Sequence, residues 1–314
     1  MKMLNWCLAT FTGLALIVGD LGQTRAAIIT PLDVPGAGTT VAQGVSGDNV
    51  VGWYNDSLGV THGFLFDGAT YTTLDVPGAG HTEAYGVFGN KVVGYYDGGH
   101  GFLYDGLTYT TLDVPEAGTT VAQGVFGSDV VGWYNDSLGV THGFLFDGAT
   151  YTTLDVPGAD HTEAYGISGN KVVGYYDDGT GSHGFLYDGL TYTTLNVPGA
   201  VTTVAQGVAG SNVVGWYNDN LGVTHGFLFD GAAYTTLDIP GADHTEAYGV
   251  SGSKVVGYYN DGTGSHGFLY DLEADESSVV PEPTSLVIWG SLGIVGLIAG
   301  RRRKRIQTAQ LKTP

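Results

Sequence analysis

Residues Leu32 to Thr73 read LDVPGAGTTVAQGVSGDNVVGWYNDSLGVTHGFLFDGATYTT, and the fold follows from the return of this stretch along the chain. Its opening LDVP recurs at Leu74, Leu112 and Leu154, then as LNVP at Leu195 and LDIP at Leu237, at intervals of 38 to 42 residues. Its HGF recurs at His62, His100, His142, His183, His225 and His266, which makes six units. A unit of this size cannot bury its own apolar faces, so self-similarity at this period points to stacked repeats.

Within one unit, four short runs lie between turn residues: Thr40 to Val45, Asn49 to Tyr54, His62 to Asp67 and Thr70 to Val76. β-Branched and aromatic residues dominate the last three, as strands prefer. Asp67-Gly68, Asp105-Gly106, Asp147-Gly148, Asp188-Gly189 and Asp230-Gly231 supply the left-handed backbone of a tight hairpin. Pro-Gly after the fourth run stops pairing and sends the chain onward. Four antiparallel strands in about forty residues make a propeller blade. The second and third runs are apolar on both faces, which suits strands held between neighbouring blades. The first carries Ala42 and Gly44, small enough for the crowding near an axis. The fourth alternates more, as an outer strand would.

The last unit stops after HGFLYD at Asp271 and lacks its fourth run; Ile28 to Val34 (IITPLDV) resembles the missing TYTTLDV. The expectation is an all-β, six-bladed β-propeller over residues 28–271 whose N-terminal strand completes the last blade and removes an open sheet edge. A linear β-solenoid is the rival, and the repeat split between the two ends favours the ring. Odd units read TTVAQGV…VVGWYND and even units HTEAYGV or HTEAYGI…KVVGYY, so the ring should have approximate three-fold symmetry built from blade pairs.

Composition narrows the partners. Glycine is abundant (53) and proline modest (10), with no collagen period, which fits short strands and tight turns. Only Lys91, Lys171 and Lys254 lie in the repeats, against 26 acids. Such a body repels phosphate backbones, so nucleic acid is excluded as a partner class, while cations, basic partners and neutral sugars are not. The sole cysteine is Cys7, so the repeats have neither disulfides nor thiolate chemistry. Nothing in the sequence specifies an oligomer, and a monomer is expected.

The ends read as addresses. Residues 1–27 form a signal peptide, with Lys2 ahead of an apolar run from Cys7 to Val18 and small residues at Ala26-Ala27. Residues 272–283 are an acidic linker ending in Pro281-Glu282-Pro283. Residues 284–305 hold an apolar stretch followed by Arg301-Arg302-Arg303-Lys304-Arg305, and 306–314 form a cytoplasmic tail. The apolar stretch is long enough, with its flanks, to cross a bilayer as a transmembrane helix, the basic end staying cytoplasmic.

This Pro-Glu-Pro, helix and Arg cluster resembles the PEP-CTERM sorting signal of Gram-negative bacteria. The resemblance implies an exosortase-type membrane protease as partner, removal of the tail, and release to the cell surface or extracellular matrix, often alongside exopolysaccharide and biofilm formation. The HGFLFDG and HGFLYDG segments are similar to the HAF-type extracellular repeat, with Gly in place of Ala in all six copies. That similarity implies an exported β-repeat protein and supplies no catalytic residues.

Candidate chemistry gathers in the even units. His81, Glu83 and Tyr85 recur as His161, Glu163 and Tyr165, then as His244, Glu246 and Tyr248. Period-two spacing places the members of each set on one side of a strand. Three such His/Glu pairs near an axis have the ligand types for a divalent metal; packing between blades is the plainer reading. The six HGF histidines read as loop ties. Acidic loops such as Asp177-Asp178-Gly179-Thr180-Gly181 resemble calcium loops but lack the full ligand spacing and the terminal Glu. No cofactor is expected, calcium or another divalent metal being the class these loops are compatible with. Nucleophile-elbow, phosphate-loop, zinc-protease and dinucleotide motifs are all missing. The sequence therefore reads as a non-catalytic surface binding or structural module for extracellular polysaccharide, with a polysaccharide hydrolase or lyase as the alternative.

Overall fold

The computed structural model describes residues 28–272, and the signal peptide, most of the acidic linker, the sorting helix and the tail lie outside the described residues. The first complete blade runs β2 (Thr39–Ser46), β3 (Asn49–Asn55), β4 (Thr61–Phe66) and β5 (Tyr71–Leu74), paired antiparallel in that order. Four further sheets repeat the pattern through β21 (Tyr234–Leu237). The sixth is ordered β1-β24-β23-β22, so β1 (Ile28–Pro31) pairs with β24 (Ser265–Asp271) and supplies the outer strand that the last unit lacks. The ring is closed: Ala42, Val45 and Val50 of the first blade pack in one cluster with Val256 of the sixth and with Leu32, which follows β1 and bonds through its N–H to the Gly267 carbonyl. No helix occurs among the described residues.

Observed strands differ from the expected runs by a residue or two. The outer strand is the shortest, because Asp75 and Val76 turn away to serve the inter-blade loop. It does not alternate fully either: Thr72 and Thr73 are both exposed, while Leu74 is buried.

The core is divided into six clusters, one between each pair of neighbouring blades. At one interface Val51 and Leu74 of the first blade meet Ala84, Val87, Val92 and Phe102 of the second. The phenylalanine of every HGF is fully buried, as Phe64, Phe102, Phe144, Phe185, Phe227 and Phe268. Burying such side chains contributes about 1.5–3 kcal/mol each, which is how a ring of individually unstable blades holds together.

One buried polar group per blade fixes the crossover between blades. The Thr82 hydroxyl accepts a hydrogen bond from the Val76 N–H at 3.2 Å, and Thr40, Thr120, Thr162, Thr203 and Thr245 do the same for Val34, Val114, Val156, Val197 and Ile239. All six threonines are buried, so leaving these donors unsatisfied would cost about 1–3 kcal/mol apiece.

The innermost strands carry a β-bulge in every blade, between Ala42 and Gly44 in the first and Ala84 and Gly86 in the second. The bulged residue is Gln43, Gln123 or Gln206 in odd blades and Tyr85, Tyr165 or Tyr248 in even ones. These six surround an axial cavity of about 80 Å³. The glycine that follows each of them is required by space: a Cβ on Gly86 would lie 2.6 Å from the Gln123 carbonyl oxygen.

Candidate functional site

Each even blade builds a polar network at the mouth of the axis. In the fourth blade, Nε2 of His161 lies 2.8 Å from Oε1 of Glu163, and the Tyr165 hydroxyl donates to Oε2 at 2.6 Å. The Tyr175 hydroxyl adds a contact of 2.8 Å to the same His161 nitrogen. The sixth blade repeats it with His244, Glu246, Tyr248 and Tyr258 at 2.8, 2.5 and 2.7 Å. In the second blade, His81 Nε2 is 3.0 Å from Glu83 Oε1, and the Tyr85 hydroxyl donates to Oε2.

The three sets expected from the sequence therefore assemble within their blades. They remain three separate networks, each spending its histidine and carboxylate on internal hydrogen bonds. Among the described residues no group of three or more His, Cys, Asp or Glu side chains comes together to hold a metal ion. The bulge turns the Tyr85, Tyr165 and Tyr248 rings onto the axis, while their hydroxyls reach back to the carboxylates. Burial, and then the neighbouring glutamate, push all three phenols well above their ordinary range.

The HGF histidines tie loops to strands. Nδ1 of His62 lies 2.8 Å from Asp75 Oδ2, Nε2 lies 3.7 Å from Asp56 Oδ2, and the ring stacks on Tyr54. The loop aspartates are engaged too: Oδ1 of Asp56 accepts from the N–H groups of Leu58 and Val60, and Oδ1 of Asp178 from the Thr180 N–H and hydroxyl. Hydrogen bonds to these loops, that from Val60 foremost, hold the Asp56 carboxyl below its ordinary range. Such side chains close turns.

The second blade departs from its counterparts. Its chain from Tyr96 to His100 is Asp97-Gly98-Gly99, three residues shorter than the Asp177–Ser182 connection of the fourth blade. There His81 and Tyr95 meet edge to face at 5.7 Å and 78°, against 5.2 Å and 41° for His161 and Tyr175. A cleft of about 510 Å³ opens at this interface, where His81, Glu83, Tyr95 and Asp97 of the second blade face Thr119 and Trp133 of the third. One Asp97 oxygen accepts from the Gly80 N–H at 2.5 Å; the other makes no hydrogen bond among the described residues. Sequence reading does not single out Tyr95 and Trp133, and takes Asp97 only as one of the acidic loop residues. The signal that could have found them is the 38-residue step between Leu74 and Leu112, the one short interval in the repeat.

No family model and no curated protein matches the chain. Solved structures do. The six-bladed fungal lectin of Aleuria aurantia, described with a fucose recognition mode, is similar at 13% identity over 78% of this chain and 96% of its own, with a TM-score of 0.45. The SapL1 lectin in complex with alpha methyl fucoside is similar at 13% identity over 73% and 90%, with a TM-score of 0.47. Trypanosoma rangeli sialidase is similar at 12% identity over 75% of this chain and 54% of its own, with a TM-score of 0.46.

Proposed function

We propose that this chain is an exported, non-catalytic propeller that binds carbohydrate at the cell surface or in the extracellular matrix. The observation that carries the binding half is the cleft between the second and third blades. It pairs aromatic surface (Tyr95, Trp133) with carboxylates, a histidine and the Thr119 hydroxyl. Aromatic faces cover the apolar faces of a sugar ring, and fixed polar groups at the rim orient its hydroxyls. Glu83 is already engaged by His81 and the Tyr85 hydroxyl. Neither partner leaves it placed as a free acid or base, so the site suits recognition more than hydrolysis.

The export half rests on the termini. Residues 1–27 as a leader, with Pro281-Glu282-Pro283, the apolar run and Arg301-Arg302-Arg303 as a sorting tail, support passage through the inner membrane of a Gram-negative bacterium. Recognition by an exosortase-type protease, and a role beside exopolysaccharide in biofilm, follow from that reading.

One experiment addresses both halves. The full-length gene is expressed in an exosortase-bearing host, and the protein is recovered from cell, membrane and medium fractions for mass measurement and glycan-array binding. A product lacking both ends, found outside the cell and retaining oligosaccharides without cutting them, is the expected result. A cytoplasmic, unprocessed protein overturns the export half. Silence on every glycan overturns the binding half, and release of shorter oligosaccharides replaces it with the hydrolase or lyase reading.

A further inference from the structure

The three even blades carry the same His/Glu/Tyr network, and only one of them has lost loop length over it. In the fourth and sixth blades the corresponding connections are Asp-Asp-Gly-Thr-Gly-Ser and Asn-Asp-Gly-Thr-Gly-Ser, whose side chains are knotted by local hydrogen bonds. The second blade has Asp97-Gly98-Gly99, which beyond Asp97 contributes no side chain at all. The short loop is pinned to the third blade, the Thr120 N–H donating to the Gly99 carbonyl at 2.8 Å. Gly99 sits so close that a Cβ would come 3.0 Å from the Thr119 hydroxyl oxygen. The loop is therefore held to one side by backbone, with nothing to fill the space before Tyr95 and Trp133.

The inner groups differ in the same direction. The Tyr175 and Tyr258 hydroxyls are bonded to their histidines, closing each network on itself. The Tyr95 hydroxyl makes no hydrogen bond among the described residues, and one Asp97 oxygen is likewise unspent. The cleft thus presents a free phenol, a carboxylate oxygen free to accept, a second carboxylate at Glu83, and the Trp133 indole. It presents no lysine or arginine, its one basic side chain being His81, already held by Glu83; each of the three repeat lysines is occupied elsewhere. Lys91 donates to the Gly127 carbonyl, Lys171 to that of Gly210, and Lys254 to that of Gly47 and to Asp48.

We infer that the second-to-third blade cleft is the single working site of the propeller and that it selects sugars bearing a free ammonium group. This rests on the carbohydrate-binding reading above and narrows it. A protonated hexosamine places its ammonium against Asp97 and Glu83 and toward an aromatic face, gaining charge-assisted hydrogen bonds and cation–π attraction. An acidic sugar, such as a uronate, meets two carboxylates and no lysine or arginine to offset them. A neutral N-acetylated sugar leaves Asp97 without a cationic partner.

The test is titration calorimetry of the purified full-length chain with three probes: a glucosamine tetramer, its fully N-acetylated counterpart, and a galacturonate tetramer. The expected result is one site per chain for the glucosamine tetramer, weaker binding of the acetylated one, and none of the uronate. Asp97→Asn keeps an oxygen for the Gly80 N–H and should weaken the amine probe roughly tenfold, the loss of one charge-assisted contact, while leaving the acetylated probe unchanged. Replacing residues 97–99 by the sequence of 177–182, a loop the fourth blade already accommodates, should abolish binding without lowering the thermal midpoint. Equal binding of amine and acetylated probes, with no effect of Asp97→Asn, overturns the charge selectivity and leaves the carbohydrate reading standing. Three sites per chain, or binding that survives the loop replacement, overturns the single-site assignment. No binding of any probe overturns the inference together with the reading beneath it.

Discussion

At the scale of single residues, the six copies act as internal controls, and the departures are informative. The turn after the outer strand needs a positive φ, and glycine supplies it at Gly36, Gly78, Gly158, Gly199 and Gly241. In the third unit Glu116 holds φ at 67° instead. A non-glycine residue there costs about 1–2 kcal/mol, so Glu116→Gly should raise stability by about 1 kcal/mol, read as a higher urea midpoint with unchanged slope. A second expectation concerns alkaline pH. Burial against the blade phenylalanines pushes the Tyr71, Tyr109, Tyr151 and Tyr192 phenols up to about 12. Their folded values exceed the unfolded one, so the stability they contribute is whole below about pH 10 and is lost as pH rises from there towards 12. Denaturant midpoints measured across that range should fall together with the appearance of phenolate absorbance. A midpoint flat to pH 12 would contradict the assigned burial.

At the scale of elements, what the sequence disclosed and what it hid divide along a physical line. Strand count, hairpin turns and the small residues of the inner strands were legible, because apolar patterning and Asp-Gly pairs act locally. The bulge was not. Period-two reading put His81, Glu83 and Tyr85 on one side of the strand, and Glu83 does meet both of the others, but nothing in that pattern gives the register slip between Ala84 and Gly86 that brings Tyr85 to the axis. Bulges answer to crowding from neighbouring blades, which no local pattern encodes. The buried Thr82 class was hidden for the same reason, since its partner is the N–H of a residue six positions earlier in the crossover loop. Crowding at the axis also gives a prediction. Gly86→Ala would set a methyl group 2.6 Å from the Gln123 carbonyl and near the Gly124 Cα. Neither is a side-chain end that can swing aside, so the inner strands must move apart, costing about 1–3 kcal/mol. The same substitution at Gly78, an open turn, should act only through its φ. A Gly86→Ala protein with the parental thermal midpoint would show that the axis is not close-packed.

At the scale of the whole molecule, the ring depends on a four-residue strand far in sequence from its partner. Ile28, Ile29, Thr30 and Pro31 pair with Asp271, Tyr270, Leu269 and Phe268, and Leu32, almost fully buried, plugs the joint between first and sixth blades. Because all other blades are contiguous in sequence, this is the one sheet whose completion requires the two ends of the repeat region to meet. Deleting residues 28–34 from the full chain would expose the N–H and C=O groups of β24 along one edge. It would also remove the burial of Leu32, a contribution of about 1.5–3 kcal/mol. An unpaired edge seeks another strand, so the expected outcome is a concentration-dependent oligomer by light scattering, with loss of a single cooperative transition on heating. Adding a peptide of sequence IITPLDV in trans should restore the monomer, since it offers the same strand without the covalent link. A deletion variant that stays monomeric and melts as sharply as the parent would mean that inter-blade packing alone holds the ring. The N-terminal strand would then be an ornament of the closure and not its cause.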